Sequence, residues 1–265
     1  MIDALYIGAT GMQAQQLNVD TIANNLANLN TVGYKKGRVG FADLMLAETA
    51  RLKQPTAEEL RAGVMAPAQR VGAGVGVASL SRMFDAGDLK KTDAPMDIAI
   101  QGEGFMEVSM PDGSRSFTRG GTLKVNRDGL LSNQAGYPLK PGITIPEGAQ
   151  AVTVAADGKV LVRMANQATP VEVGQIELVR FASAGQLSAM GDNLYRATDG
   201  SGDAVTGRPG EDGLGTLAQG FLEGSNVKMV EEMVGLMVAQ RAYEASVKIV
   251  QASDEMLGMI NNLRK

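Results

Sequence analysis

Residues 226–263, NVKMVEEMVGLMVAQRAYEASVKIVQASDEMLGMINNL, set Met229, Leu236, Tyr243, Val250 and Leu257 seven apart without a miss. Sustained seven-residue spacing of apolar side chains is the seam of a coiled-coil-like contact. Ala242, Ile249 and Met256 widen one side of the stripe. Ala239, Ser246 and Ser253 form a small-residue strip on the other, where another helix can approach closely. Ser225 or Asn226 serves as the cap, and Arg264 with Lys265 suits the negative end of the dipole. At roughly 1.5 Å per residue such a helix exceeds about 50 Å, longer than a small domain is wide. Part of it therefore packs against something other than the chain's own middle.

The opposite end matches in character. Over residues 3–29, Leu5, Met12, Val19 and Leu26 recur at sevens, and Ile22 and Leu29 join the same side. Asp3 is placed to cap the start, and Asn30 with Gly33 to stop the helix. Gly8 and Gly11 lie inside, each costing roughly 1 kcal/mol relative to alanine, so this helix needs a partner to form. Two long helices at opposite termini are of little use to a globular enzyme. They suit a subunit that packs its ends against copies of itself.

Between the helices the pattern changes. Residues 36–95 read as an extended connecting arm or irregular loop, punctuated by Pro55, Gly63, Pro67 and the run Gly72-Ala73-Gly74-Val75-Gly76, with a capping-box sequence at Thr56-Ala57-Glu58-Glu59. From 96 to 225 short β-rich runs appear at Ile98–Ile100, Phe105–Val108, Phe117, Leu123–Val125, Val152–Val154, Val160–Val162 and Ile176–Phe181. Pro111-Asp112-Gly113, Asp128-Gly129 and Asp157-Gly158 separate them as hairpin turns. Residues 199–215 read as a long loop. The expected fold is α+β: a terminal helical domain of 1–35 and 226–265 packed as a coiled-coil-like pair, and a central, mostly antiparallel β domain.

Composition narrows the function. The chain of 265 residues is 44% hydrophobic, with 33 glycines, 9 prolines and no Cys, His or Trp. Disulfides, thiolate metal sites and the commonest general base are excluded. A net charge of −4 and only 4% aromatics argue against nucleic acid as a partner. No segment approaches the roughly 18 consecutive apolar residues that span a bilayer, so membrane insertion is not expected, and no cleavable signal peptide is visible. Gly72-x-Gly-x-Gly76 lacks the third glycine and the βαβ setting of a dinucleotide loop. Asp199-Gly-Ser-Gly-Asp203 breaks the calcium-loop pattern at Ala204 and Gly210. Asp93, Asp97, Glu103 and Asp112 sit beside Gly and Pro as ordinary turn residues, so no catalytic pair is marked and no cofactor is expected.

Ala23-Asn24-Asn25-Leu26-Ala27-Asn28 followed by Thr31-x-Gly33-Tyr34-Lys35 resembles the N-terminal signature of the bacterial flagellar rod and hook proteins. Ser225-Asn226-Val227, Glu231-Glu232-Met233 and Gln240-Arg241-Ala242-Tyr243-Glu244 resemble the C-terminal signature of that family. The similarity continues through Asp97-Ile98-Ala99-Ile100-x-Gly102-x-Gly104-Phe105 and covers nearly the whole chain. Length, the single β domain and the extra segment near 45–70 favour a distal rod subunit over a hook subunit, with the proximal rod type left open.

The resemblance implies a structural subunit of a helical, tubular drive shaft in the periplasmic part of the basal body. It implies an open homopolymer, with the terminal helices on the inner wall, the β domain outward and the 45–70 segment stiffening the tube. It further implies contacts with the proximal rod, the hook and the surrounding outer-membrane and periplasmic rings, and export through the flagellar type III apparatus without a cleaved signal. Assembly contacts are expected at Leu5, Met12, Val19, Leu26, Leu236, Gln240, Val250 and Leu257. Among the signature residues, Asn24, Asn25 and Asn28 are expected to satisfy backbone groups at the helix end, Gly33 to supply a turn and Tyr34 to anchor the exit. Tyr243 is expected in the seam, with Arg241 and Glu244 pairing with axial neighbours. In a dilute monomer both ends are expected to fray. Two competing readings are an adaptor with a helical dimerisation stalk, which forms a closed dimer, and a carboxylate enzyme.

Overall fold

Helices carry both ends of the chain, α1 at Ile2–Ala27 and α2 at Met229–Leu263, and antiparallel β-structure fills the middle. The computed structural model describes residues 2–47, 70–164 and 169–263. The capping-box sequence at 56–59 and the basic pair 264–265 lie outside the described residues. The chain divides into two compact units: one of 1–24, 38–80 and 230–265, the other of 25–37 and 81–229.

In the first unit α1 and α2 approach closely in opposite directions. A Cβ added at Gly8 would stand 2.6 Å from Val250 Cγ2, one at Gly11 3.2 Å from Ser246 Oγ, and one at Gly235 3.5 Å from Ile22 Cδ1. The two glycines that weaken α1 as an isolated helix thus lie against α2. The line that α2 buries is accordingly its small-residue strip: Ala239 and Ser253 are 1% and 2% exposed. Ser246 and Ser253 each donate their hydroxyl to the carbonyl four residues back, at 3.0 and 2.8 Å, so neither is left wanting a partner. The bulky seven-spaced residues are less covered. Leu236, Val250 and Leu257 are half-buried, while Met229 and Tyr243 are exposed.

Two long strands, β1 (Gly37–Ala47) and β2 (Arg70–Arg82), pair as a ribbon, and β3 (Leu89–Lys91) follows. The glycine run 72–76, which reads as irregular in sequence, lies inside β2. Its glycines permit close contacts: Gly74, at φ +109°, faces Thr10, and a Cβ at Gly76 would stand 3.1 Å from Leu44 Cδ2.

The second unit is antiparallel throughout its described pairings. A six-stranded sheet runs β14 (Ser188–Gly191), β15 (Leu194–Arg196), β6 (Arg115–Thr118), β5 (Phe105–Ser109), β13 (Leu178–Arg180) and β16 (Val205–Gly207). Two three-stranded sheets accompany it. One orders β17 (Thr216–Gln219), β4 (Asp97–Gln101) and β7 (Gly120–Thr122), the other β10 (Ala149–Val154), β11 (Lys159–Met164) and β12 (Val171–Gln175). Short pairs β8 (Lys124–Val125) with β9 (Leu131–Ser132) and β18 (Phe221–Glu223) with β3 complete it.

All three hairpin turns fall where the Asp-Gly pairs sit, with Gly113, Gly129 and Gly158 at φ +79°, +75° and +88°. Ile98, Ile100, Met106, Val108, Val160, Val162 and Leu178 pack into one apolar core, because β4 and β5 are covered on both faces. A second cluster joins Phe105, Phe117, Phe181 and Tyr195 with Phe84 edge to face. The stretch 199–215 is more ordered than a long loop. Asp199–Ser201 forms a 3₁₀ turn with a Thr198/Ser201 capping box, and β16 pairs with β13. Three residues, Val205-Thr206-Gly207, carry too little periodicity to be seen as a strand.

Candidate functional site

The signature residues that follow α1 and precede α2 meet at one junction within the second unit. The Asn25 side chain accepts from the Gly37 amide at 2.9 Å and from the Tyr34 hydroxyl at 3.2 Å, and donates to the Gly37 carbonyl at 3.0 Å. Asn226 takes the neighbouring position. Its Oδ1 accepts from the Lys36 amide at 2.8 Å, and its Nδ2 donates to the Met83 and Asp85 carbonyls. The two asparagines thus treat an extended segment as a strand would, satisfying consecutive backbone groups. Asn226 is therefore spent on this junction and not on capping α2, which begins at Met229. Ser225 Oγ accepts from the Val227 amide at 3.3 Å ahead of it.

Beneath these asparagines lies a charge cluster. Lys35 donates to Glu223 Oε1 at 2.7 Å and to the Asp85 carbonyl at 2.6 Å. Arg119 donates Nε to Glu223 Oε2 at 3.0 Å and spends its other nitrogens on the Gly102 and Gly104 carbonyls. The Gly87 amide also reaches Glu223 Oε1, at 3.0 Å, and the Gly33 amide donates to the Glu223 carbonyl at 2.7 Å. Side-chain exposures of 0% for Lys35, 2% for Glu223 and 4% for Arg119 put all three charges out of water. Burial alone would raise the Glu223 carboxyl, but Arg119 and Lys35 outweigh it and hold the group below the ordinary glutamate range. Burial lowers the Lys35 ammonium, against the pull of Glu223. Arg82 closes the site, donating to the Lys35 carbonyl at 2.6 Å with its guanidinium 4.9 Å from the Tyr34 ring centre.

The structure brings Asn25, Gly33 and Tyr34 together here. Gly33 sits at φ +69°, the conformation that turns the chain out of α1, and Tyr34 is buried. Asn28 accepts from the Thr31 hydroxyl at 3.1 Å, and Asn24 is exposed. Leu5, Met12, Val19 and Leu26 are half-buried along α1. On α2, Gln240 is exposed, and Arg241 and Glu244 pair with each other at 3.2 Å, one turn apart. Such an exposed pair is worth a few tenths of a kcal/mol. Sequence reasoning missed Glu223 and Arg119 altogether; Lys35 stood inside a signature, but no spacing rule links it to either.

A larger feature is what α2 leaves open. Val230, Met233, Val234, Met237 and Val238 are exposed, at 74%, 53%, 49%, 57% and 63%, and Ile249, Met256, Met259 and Ile260 are exposed farther along. These five side chains at the start occupy the face opposite the small-residue strip, so the helix is apolar on both sides there.

Two of the acidic residues weighed in the sequence are engaged in local structure. Asp97 accepts from the hydroxyls of Thr92 and Thr122 at 2.6 and 2.7 Å, and Asp112 forms a local turn with Ser114. Among the described residues no three acidic groups are placed to hold a metal ion. No described helix is long and apolar enough to cross a membrane.

Comparison with known proteins agrees from end to end. Residues 5–35 match the family model described as flagella basal body rod protein, and residues 99–162 the flagellar hook protein FlgE/F/G D1 domain. Residues 218–263 match the flagellar basal body rod FlgEFG protein C-terminal model. The flagellar basal-body rod protein FlgG of Borreliella burgdorferi is 43% identical over 267 residues, covering 100% of both chains. That of Caulobacter vibrioides is 41% identical over 263 residues, covering 99% of this chain and 100% of its own. That of Bacillus subtilis is 35% identical over 273 residues, again covering 100% of both.

Proposed function

The chain belongs to the family of flagellar basal-body rod proteins, and from that premise we propose how its helices build a rod. It is a structural subunit of the flagellar distal rod, not an enzyme, and it assembles with other axial components of the flagellum. In our reading, residues 1–35 and 226–265 form the helical layer lining a rigid tube, α1 and α2 pairing in a coiled-coil-like manner. Residues 36–95 form a connecting arm and 96–225 the β domain.

The polymer is open: head-to-tail contacts that do not close into a ring give a helical filament. Leu5, Met12, Val19, Asn24, Leu26, Leu236, Gln240, Arg241, Tyr243, Glu244, Val250 and Leu257 lie on the helical faces assigned to these contacts. Asn25, Asn28, Gly33 and Tyr34 hold the exit from α1 in the geometry the contacts need. The tube transmits motor torque and forms part of the export channel. Its partners are the proximal rod, the hook and the surrounding rings, and its location is the periplasmic basal body, reached through the type III apparatus.

The observation that carries this reading is the second apolar face of α2, which the chain's own small-residue contact does not use. Burying five large side chains of that face is worth several kcal/mol per subunit contact, at about 25 cal/mol per Å². The test is a concentration series of the purified chain followed by sedimentation, electron microscopy and hydrogen exchange. We expect fast exchange in 1–30 and 226–265 in dilute solution beside a protected 96–225, then open filaments and protected helices as concentration rises. A small species of constant size, with both helices protected throughout, would overturn the reading in favour of a dimeric adaptor.

A further inference from the structure

The first three turns of α2 repeat one dipeptide: Met229-Val230, Met233-Val234 and Met237-Val238. Residues four apart on a helix stack into a ridge, so the methionines form one ridge and the valines the adjacent one. All three methionines are exposed, whereas Met106 in the apolar core is 0% exposed. With no Cys, Trp or His anywhere in the chain, methionine is the side chain most open to mild two-electron oxidants.

We propose that the ridge Met229, Met233 and Met237 is an oxidation site that controls assembly. It takes oxidants of the peroxide class. Each thioether sulfur attacks one peroxide oxygen, the O–O bond breaks, and the sulfur is oxidised by two electrons to the sulfoxide. The other oxygen leaves as water, carrying both protons of hydrogen peroxide.

The product replaces a flexible apolar tip with a polar S=O group in the middle of the face that a neighbouring subunit covers. Burying that group without a donor opposes association. A free subunit presents the ridge and is open to the reaction; a subunit in the rod covers it. The step is chemically reversible, since sulfoxides are reduced back to thioethers by methionine sulfoxide reductases. This inference rests on the reading that the exposed face of α2 is a seam between copies.

The test uses the full-length chain and hydrogen peroxide. Peptide mass spectrometry is expected to show oxygen on Met229, Met233 and Met237 well before Met106. The concentration needed for sedimentable assembly is expected to rise tenfold or more, and to return after treatment with the two methionine sulfoxide reductases and a thiol reductant. A Met229→Leu, Met233→Leu, Met237→Leu variant keeps the apolar volume and should assemble equally well before and after peroxide. A Met256→Leu, Met259→Leu variant should stay as sensitive as the parent. The proposal is overturned if the oxidised parent assembles at its untreated concentration, or if the triple variant loses assembly on oxidation as the parent does. Failure of the untreated parent to assemble would instead remove the seam reading, and the inference with it.

Discussion

Lys35 and Glu223, 188 residues apart in the chain, meet at 2.7 Å with their side chains 0% and 2% exposed. Arg119 completes the cluster from the far side, and Asn25 and Asn226 hold the backbone just above Lys35. The segment leaving α1 and the strand leading to α2 are thereby fixed to one point by charge and hydrogen bonds instead of by apolar burial. For a rod subunit this has a consequence. In the proposed assembly the apolar face of α2 is the part that neighbours cover, while the segments leaving α1 and leading to α2 are held by groups whose geometry is directional.

Removing Glu223 leaves two buried cations without their anion. Glu223→Ala is expected to cost about 3–5 kcal/mol, the loss typical of breaking a buried pair from one side. Lys35→Ala should cost less, because Arg119 still pairs with the carboxylate. Urea unfolding of the dilute chain, followed by circular dichroism, gives both values. Equal losses in the two variants would mean that Lys35 and Arg119 do not share Glu223 in this way.

The same cluster sets an acid limit. The Glu223 carboxyl lies below its ordinary value of 4.5 in the fold, and the Glu107 carboxyl, bonded to Arg115 and Lys140, does too. Between the unfolded and folded values the unfolded chain binds more protons, so stability falls as pH drops through that window. Above the unfolded value the full contribution is present. The urea midpoint is expected to hold steady near neutral pH and decline below about pH 4.5, with a shallower decline in Glu223→Gln, which is already weakened at neutral pH. Parallel pH profiles for the two chains would rule out Glu223 as a source of the decline.

Val234 lies on the open face of α2, 49% exposed, with no role in the small-residue contact. Val234→Lys places a charge there while keeping good helix propensity. The monomer's unfolding midpoint should move by no more than about 0.5 kcal/mol, as for ordinary surface substitutions. Assembly, read by sedimentation over a concentration series, should shift upward by at least about tenfold, the equivalent of about 1.4 kcal/mol per contact. Unchanged assembly would show that this face is not buried between copies.

Local signals in the sequence carried a good share of this structure. The turn at Asp157-Gly158 is legible because two β-branched runs flank a pair that accepts positive φ, and the hairpin of β10 and β11 follows from neighbours alone. The ribbon of β1 and β2 is not legible, since a run such as Gly72–Gly76 has no side-chain alternation. Gly74 and Gly76 are explained only by what packs on them, Thr10 and Leu44. The cluster of Lys35, Arg119 and Glu223 is invisible for a different reason: buried charges resemble surface charges until the fold pairs them. On α2 the seven-residue period announced a helix with contacts on more than one side. Which side α1 takes was decided by Gly8 and Gly11, whose missing Cβ atoms let Val250 and Ser246 come close, along the line where Ala239 and Ser253 are buried.

That choice makes two glycine substitutions diverge. In a helix interior Gly→Ala ordinarily stabilises by about 1 kcal/mol. Gly258 in α2 has nothing within 4 Å of an added Cβ, so Gly258→Ala should show that gain at concentrations where α1 and α2 are folded. At Gly8 the added methyl would stand 2.6 Å from Val250 Cγ2, a contact that forces one helix to move. Gly8→Ala is therefore expected to lose stability, by about 1–3 kcal/mol as overpacked sites do. Val250→Ala in the same chain should recover part of the loss, because it removes the Cγ2 methyl that the new side chain would meet. Thermal unfolding of the two single variants and the double variant measures all three. A gain at Gly8 equal to that at Gly258 would mean that α1 and α2 do not approach through these residues, and that the small-residue strip of α2 is open to another helix.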